Sequence, residues 1–287
     1  MINRHFAIPM MVLAMLSSSC NIDRSTQPTE LAPQFITFGF IDENNTYSNV
    51  GAFIVQSATT GQIFPICSGT LISAAVFLTA AHCTADFERI LAPRGFTAFV
   101  SFDNPIPFGA LTTNRTRLIA VADVITNPAF SQRQSDSGDL GVLILERETR
   151  GITPAALPEQ GLLDQLLAAG TLPTGQFTAV GYGVQERVTG GGVPFFQDLN
   201  PIPRMYSFPS YNALGPGYLR LSQNPAKGEG GTCYGDSGGP NFLLVSGVQV
   251  LVSTTVTGDV ACRSTNVTYR LDTESARNFL AAFVTLP

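Results

Sequence analysis

The chain lacks tryptophan entirely and, in 287 residues, has one lysine (Lys227) and two histidines. Arginine carries the rest of the positive charge, and nothing in the sequence explains that bias. No Lys/Arg-rich run is present and the formal net charge is −5, so nucleic acid is excluded as a partner. There is no C-x-x-C pair, and with so few histidines this argues against a metal centre. Charged residues make up 13% against 44% hydrophobic, a globular rather than a disordered composition. The length suffices for two compact units or one large all-β unit.

What is present begins with an export signal over residues 1–20. Arg4 and His5 precede the apolar run Phe6–Leu16, which is too short to span a bilayer and is followed by Ser17, Ser18 and Ser19. Cys20 directly after these small residues resembles a bacterial lipoprotein cleavage site, where the cysteine takes a lipid and becomes the new N-terminus. The match has one departure, since Leu16 stands four positions before the cysteine where the pattern prefers three. Ordinary signal cleavage nearby, with Cys20 incidental, is the alternative. Cysteine arithmetic bears on the choice. In an exported chain Cys67, Cys83, Cys233 and Cys262 can pair among themselves in three ways, which leaves Cys20 over.

Residues 21–35 are polar, hold two prolines and read as a tether or propeptide. From Ile36 the pattern changes to short β-rich runs separated by Gly, Pro and Asn: Val50–Gln56, Gly69–Ile72, Val76–Ala80, Thr97–Phe102, Arg117–Ile125 and Leu140–Leu145. Residues 151–175, rich in Pro, Gly and Leu, read as a connector with a short helix at Gly161–Ala169. Strand patterns resume at Phe177–Val184, Tyr218–Ser222, Asn241–Leu244, Val248–Thr255 and Val267–Leu271. Thr189–Gly192 reads as a flexible, exposed loop. A helix ends the chain: Thr273 caps it, Glu274 suits its first turn, and Ala276, Phe279, Leu280 and Phe283 share one face. These patterns predict an all-β protein of two β-domains, residues 36–150 and 176–287, with a C-terminal packing helix.

The chemistry centres on Gly235-Asp236-Ser237-Gly238-Gly239-Pro240, where glycines let the backbone turn tightly around a serine. A serine hydroxyl needs a base to take its proton and a third group to orient that base. Outside the export signal His82 is the sole histidine, in Leu78-Thr79-Ala80-Ala81-His82-Cys83. The carboxylate has two candidates, Asp136 and Asp139. Asp139 opens the apolar run Leu140–Leu145 and is favoured, while Asp136, in a polar loop, reads as a solvated turn residue. G-x-S-x-G also marks the nucleophile turn of α/β-hydrolases, but their histidine follows the serine, and none follows Ser237.

The strings Thr-Ala-Ala-His-Cys, Asp-Leu-Gly-Val-Leu and Gly-Asp-Ser-Gly-Gly-Pro, in this order, resemble the motifs of the chymotrypsin/trypsin family of serine endopeptidases; Gly141 stands where that family has alanine. With the leader, the resemblance identifies the chain as an exported bacterial member. It implies two packed antiparallel six-stranded β-barrels with the C-terminal helix, and peptide-bond hydrolysis through an acyl-enzyme. Ser237 would attack, His82 shuttle the proton, Asp139 orient His82, and the amides of Gly235 and Ser237 bind the oxyanion. It further implies disulfides Cys67–Cys83 and Cys233–Cys262, and a hydroxyl at Ser253 supporting Asp139. Val180-Gly181-Tyr182-Gly183 resembles a Gly-Trp-Gly turn at the start of the second barrel. Ile36-Thr37-Phe38-Gly39 resembles a mature N-terminus whose freed amino group would pair with Asp236.

For specificity, Gly231 and Thr232 take the pocket floor, and Thr255 and Asn266 take wall positions that are glycines in deep-pocket relatives. Side chains there would shallow the pocket and favour small or medium uncharged residues over Arg or Lys. No cofactor and no metal are implied, and nothing in the sequence bears on calcium. The implied partner is a peptide or protein substrate, the state a monomer, and the location periplasmic, on the cell envelope as a lipoprotein, or secreted. The rival readings are a non-catalytic binding homologue and an ester hydrolase.

Overall fold

Short segments of Val, Ile, Leu and Phe, closed by Gly, Pro or Asn turns, pair antiparallel, and the fold follows from where the pairings close. The computed structural model describes residues 38–107, 117–131, 135–184, 187–188, 195–196 and 200–287. The export segment, Cys20, the tether, Ile36 and the loop Thr189–Gly192 lie outside these residues. In chain order the strands are β1 (Phe40–Ile41), β2 (Val50–Ser57), β3 (Ile63–Ser73), β4 (Val76–Thr79), β5 (Phe96–Ser101), β6 (Ile119–Thr126) and β7 (Gly141–Leu145). They continue with β8 (Phe177–Gly181), the short pair β9 (Arg187–Val188) and β10 (Phe195–Phe196), then β11 (Met205–Ser207), β12 (Ser210–Leu214), β13 (Tyr218–Ser222), β14 (Pro240–Val245), β15 (Val248–Gly258) and β16 (Thr265–Arg270).

β2, β3, β4, β7, β6 and β5 close into a six-stranded barrel in that order. Phe53, Val55, Leu71, Phe77, Val100 and Leu143 belong to its core. The other strands, the counterpart of the expected second barrel, form a curled eight-stranded sheet in the order β1-β11-β8-β14-β15-β16-β13-β12. β11 and β12 stand near opposite margins, yet only Phe208 and Pro209 separate them in sequence. Proline has no N–H to continue a ladder, so one segment is split in two and the chain itself curls the sheet. With β11 and β12 counted as one broken strand and the two-residue β1 set aside, six strands remain.

A second core joins the two halves: Val50, Leu78, Leu140 and Val142 pack in one cluster with Val180, Phe242, Leu251 and Tyr269. The C-terminal helix (Glu274–Leu280) starts at Thr273, whose hydroxyl accepts the Ala276 N–H at 3.2 Å. Its Ala276 and Leu280 belong to that shared cluster, with Phe279 and Phe283 packed against it, so the helix serves both halves rather than closing the second alone. The connector helix spans Leu162–Ala168. Buried Arg270 holds it in place, gripping Asp272 through two bonds of 2.9 Å and Asp164 of the helix at 2.6 Å. No helix of the described residues is long and apolar enough to cross a membrane.

The largest buried side chain has a charge. Arg204 is completely inaccessible, and its Nε donates to Asp42 Oδ2 at 2.8 Å. Nη1 donates to the carbonyl of Val50 at 3.0 Å and to the Tyr182 hydroxyl at 3.1 Å, and Nη2 to Asn45 Oδ1. The Asp42 carboxylate also accepts the amides of Thr46 and Tyr47. Because each guanidinium nitrogen has an acceptor, the cost of burying two charges is offset, and the segment at Asp42, the first barrel and β11 are tied together. Removing one member should be severe. Asp42→Ala leaves the guanidinium buried without its counter-charge, and we expect a loss of about 3–5 kcal/mol in urea unfolding. A loss below about 1 kcal/mol would contradict the tie.

Candidate active site

The pairing of β4 with β7 ends at Thr79 opposite Gly141. Continued past the strand ends, that antiparallel register brings Asp139 beside the residues that follow Thr79. Ala80 and Ala81 are fully buried, and the chain turns there into a short helix, α1 (Ala81–Asp86), which sets His82 on its first turn. α1 has no side-chain cap of its own. Asp139 supplies one from the neighbouring strand's entry: its Oδ1 accepts the His82 backbone N–H at 2.9 Å, and its Oδ2 faces His82 Nδ1 at 2.9 Å. Asp139 is buried while about a third of the His82 side chain is exposed. Facing a carboxylate, Nδ1 is placed to donate, which leaves Nε2 as the ring nitrogen available to take a proton.

Asn127 was not singled out in the sequence, yet it shapes the approach to Asp139. Its amide donates to the Leu140 carbonyl at 3.1 Å and its Nδ2 to the Gly138 carbonyl at 3.0 Å. The departure at Gly141 also has a cause: a Cβ there would lie 2.6 Å from the Thr84 side chain of α1. Asp136 is no simple solvated turn residue. It is half-buried and its Oδ1 accepts the hydroxyl of buried Tyr269 at 2.5 Å, which together with burial pushes that phenol's pKa up.

The serine loop meets this pair through the first disulfide. Cys67 and Cys83 are bonded, with Cα atoms 6.4 Å apart, and the Cys83 sulfur lies 3.9 Å from the Ser237 carbonyl oxygen. Ser237 is half-buried. Gly235 adopts φ +94°, a conformation that favours glycine. The amides of the loop alternate. Asp236 N–H donates to Cys233 O, Gly238 N–H to Thr255 O and Gly239 N–H to Asp236 O, at 2.8 to 3.1 Å. The N–H groups of Gly235 and Ser237 have no acceptor among the described residues. Two backbone donors beside a serine, next to an imidazole oriented by a carboxylate, suit a reaction that develops negative charge on an oxygen.

Asp236 is completely buried. Its carboxylate accepts the amides of Gly183 at 2.8 Å and Cys233 at 2.9 Å. A Cβ on Gly181 or Gly183 would collide with it. Burial pushes its pKa up to about 6 against the lowering effect of the two amides, and no cation among the described residues contributes. Ile36, its expected partner, lies outside the described residues.

Cys233 and Cys262 form the second disulfide, Cα to Cα 5.3 Å. With loops of 16 and 29 residues, each bridge should contribute about 3 kcal/mol or somewhat more. Gly231 does not face open space, because a Cβ there would strike the buried Gln223. The Gln223 amide in turn clamps Thr232, accepting its N–H at 2.9 Å and donating to its carbonyl at 3.2 Å. Thr255 and Asn266 are both buried and both bond Asn241: Asn241 Nδ2 donates to Thr255 Oγ1 at 3.1 Å, and Asn266 Nδ2 to Asn241 Oδ1 at 2.9 Å. Ser253 departs from its expected role. Its hydroxyl takes the Thr268 hydroxyl as partner at 2.8 Å and, among the described residues, makes no bond to Asp139. Gln223 and Asn241 carry no motif, and only their place beside the pocket strands could have drawn attention to them.

The one cluster of three metal-ligating residue types among the described residues is Cys67, His82 and Cys83. Its two sulfurs are spent on the disulfide, so it offers an ion a single imidazole.

A closed β-barrel beside a curled antiparallel sheet, with a histidine, an aspartate and a serine loop where they meet, defines a trypsin-like architecture. The chain belongs to the trypsin family, whose profile, described as Trypsin, matches residues 40–278. It is similar to the vitellin-degrading protease of the silkworm Bombyx mori, 30% identical over 181 residues that cover 61% of each chain. It is also similar to mouse vitamin K-dependent protein C, 24% identical over 216 residues, 70% of this chain and 42% of that protein. The chain thus spans less than two thirds of either relative. Both are animal proteins, and they give no support to the bacterial origin expected from the leader.

Asp236 gives a pH test. Its ordinary pKa is 3.8 and its folded value about 6, so the folded chain holds this proton more tightly than the unfolded chain. The stabilisation is therefore fully present below about pH 4 and is lost as pH rises through 6. Relative to Asp236→Asn, the uncut wild-type chain should lose on the order of 3 kcal/mol of unfolding free energy between pH 4 and pH 7. Equal pH profiles for the two proteins would show that a cation already neutralises the carboxylate.

Proposed function

We propose that this chain is an exported serine endopeptidase. The observation that carries the reading is the alternation in the serine loop: the amides at 236, 238 and 239 are bonded and those at 235 and 237 are not, beside the paired His82 and Asp139. Membership of the trypsin family and the likeness to two proteins, one of them named for degrading vitellin, support peptide bonds in proteins as the substrate class.

In the proposed reaction Ser237 Oγ attacks the substrate carbonyl carbon as its proton passes to His82 Nε2. The carbonyl oxygen takes the electron pair and is held by the amides of Gly235 and Ser237. The C–N bond then breaks, His82 returns the proton to the departing amine, and an acyl-enzyme remains. Water, deprotonated by His82, attacks that ester and the same steps in reverse release the acid and restore Ser237. Asp139 keeps Nδ1 protonated throughout and stabilises the transient imidazolium. Small or medium uncharged residues are preferred before the scissile bond, because Gly231 rather than an acid takes the floor position, Gln223 fills the space beside it, and Thr255 and Asn266 put side chains on the wall.

Export is supported by the leader and by two disulfides, which persist in an oxidising compartment. Cys20 takes a lipid in this reading, and a cut before Ile36 frees an amino group to neutralise Asp236 and detaches the enzyme from its anchor. Three measurements address the proposal. Ser237→Ala should abolish fluorophosphonate labelling and peptide cleavage, and Asp139→Asn should lower kcat by about ten-thousandfold, the magnitude this triad arrangement shows. A peptide-library profile run alongside would refute the specificity if Arg or Lys substrates gave the highest kcat/KM. Intact mass and N-terminal sequencing of active protein should find Ile36 first; an active species that still begins at Cys20 would sink coupled activation and release.

A further inference from the structure

Ser68 lies on β3 of the first barrel, fully buried, and every polar group it has is used. Its N–H donates to the Ser237 carbonyl at 2.9 Å. Its hydroxyl donates to the Gly235 carbonyl at 3.0 Å and accepts the Tyr182 N–H at 3.0 Å, and its own carbonyl accepts the Thr79 hydroxyl at 2.8 Å. The two carbonyls it holds belong to the same two residues whose amides are unpaired.

The four peptide units from Tyr234 to Gly238 make the consequence plain. The 234–235 unit is held through its carbonyl by Val184 N–H at 2.7 Å, and its amide is free. The 235–236 unit is pinned at both ends, its carbonyl by the Ser68 hydroxyl and its amide by Cys233 O. The 236–237 unit is held through its carbonyl by Gly239 N–H at 2.8 Å, and its amide is free. The 237–238 unit is again pinned at both ends, by Ser68 N–H and by Thr255 O. Ser68 supplies one pin of each doubly held unit. The first of these matters more, because it follows Gly235, which has no side chain to restrict rotation of its flanking peptides. Among the described residues the Ser68 hydroxyl is the only donor to the Gly235 carbonyl.

We infer that Ser68 is a positioning residue of the oxyanion site, its hydroxyl in the first barrel fixing the Gly235 peptide of the second so that the free amides at 235 and 237 converge on one point. This rests on the proposed endopeptidase reading and adds to it a cross-barrel tie. Without the hydroxyl the Gly235 carbonyl loses its partner, and the 235–236 unit, left with its amide bond to Cys233 O alone, turns the flanking amide away in a fraction of molecules.

The test is Ser68→Ala in the full chain, which removes the hydroxyl and keeps the N–H bond to Ser237. We expect kcat to fall about tenfold with KM within about twofold, the pattern of an interaction made for the transition state. A peptide aldehyde, whose hemiacetal oxygen occupies the oxyanion position, should lose affinity in parallel with kcat/KM. The matching peptide carboxamide should bind within about twofold of wild type. An unchanged kcat, or equal losses of affinity for aldehyde and carboxamide, would overturn the role. Should the alanine variant fail to fold, Ser68→Gly removes the same hydroxyl, and the same split is required of it. A wild-type chain inert to fluorophosphonate would overturn the enzyme reading itself, whereas a reactive wild type whose variant keeps its kcat overturns only the assignment to Ser68.

Discussion

Asp236, Gly238 and Gly239 are buried, and burial obliges each of their amides to find an acceptor, at about 1–3 kcal/mol for one left unpaired. The loop meets that demand at all three, while half-buried Gly235 and Ser237 have amides with no acceptor among the described residues. An unmet donor persists only where its surroundings leave the peptide no other orientation. The surroundings here come from three other segments, at Ser68, Val184 and Thr255, and from the loop's own Cys233 and Gly239. This requirement explains why the two β-rich halves cannot be regarded as independent bodies with a groove between them. Ser68 of the first barrel makes two of the six bonds that hold the loop's peptide units.

The same dependence governs the other joints. Arg204 leaves β11's margin to bond Asp42, Val50 and Tyr182, so one guanidinium spans both halves. The C-terminal helix lays Ala276 and Leu280 onto a core drawn from both. His82 and Asp139 are set by a strand pair within the first barrel, and the serine by a loop between strands of the second sheet. The geometry between them is only as good as these joints, which are apolar packing at the centre and saturated hydrogen bonding at the rim.

Where chemistry confines several adjacent residues, the site was legible in sequence. Thr-Ala-Ala-His-Cys and Gly-Asp-Ser-Gly-Gly-Pro carry small residues because burial and a tight turn exclude larger ones, and such constraints leave strings. Strands β2 to β7 and β13 to β16 were legible for a similar reason, since their β-branched runs are long enough to show a pattern. Residues that act across the fold left no such trace. Arg204 and Asp42 are 162 positions apart, and each is an ordinary charge in its own stretch. Ser68 reads as one more small residue beside Cys67. Gln223 and Asn241 look like surface polar residues until the fold buries them. β11 and β12 leave no strand pattern because Pro209 interrupts their period, and the partner of Ser253 is not legible because position along a strand does not determine which neighbour a hydroxyl turns to.

The split of that segment at Phe208 and Pro209 has a consequence for durability. The barrel of β2 to β7 has no free margin, but the second sheet owes its curl to one covalent link between β11 and β12, at a point where Phe208 is half exposed. Severing that link would not remove a single strand-to-strand hydrogen bond. It would free β11 and β12 to part, and β12, whose one ladder partner is β13, would offer its outer N–H and C=O groups to any passing strand. For a protein proposed to work among proteases, its own copies included, two residues therefore separate a curled sheet from an opened one able to template aggregation.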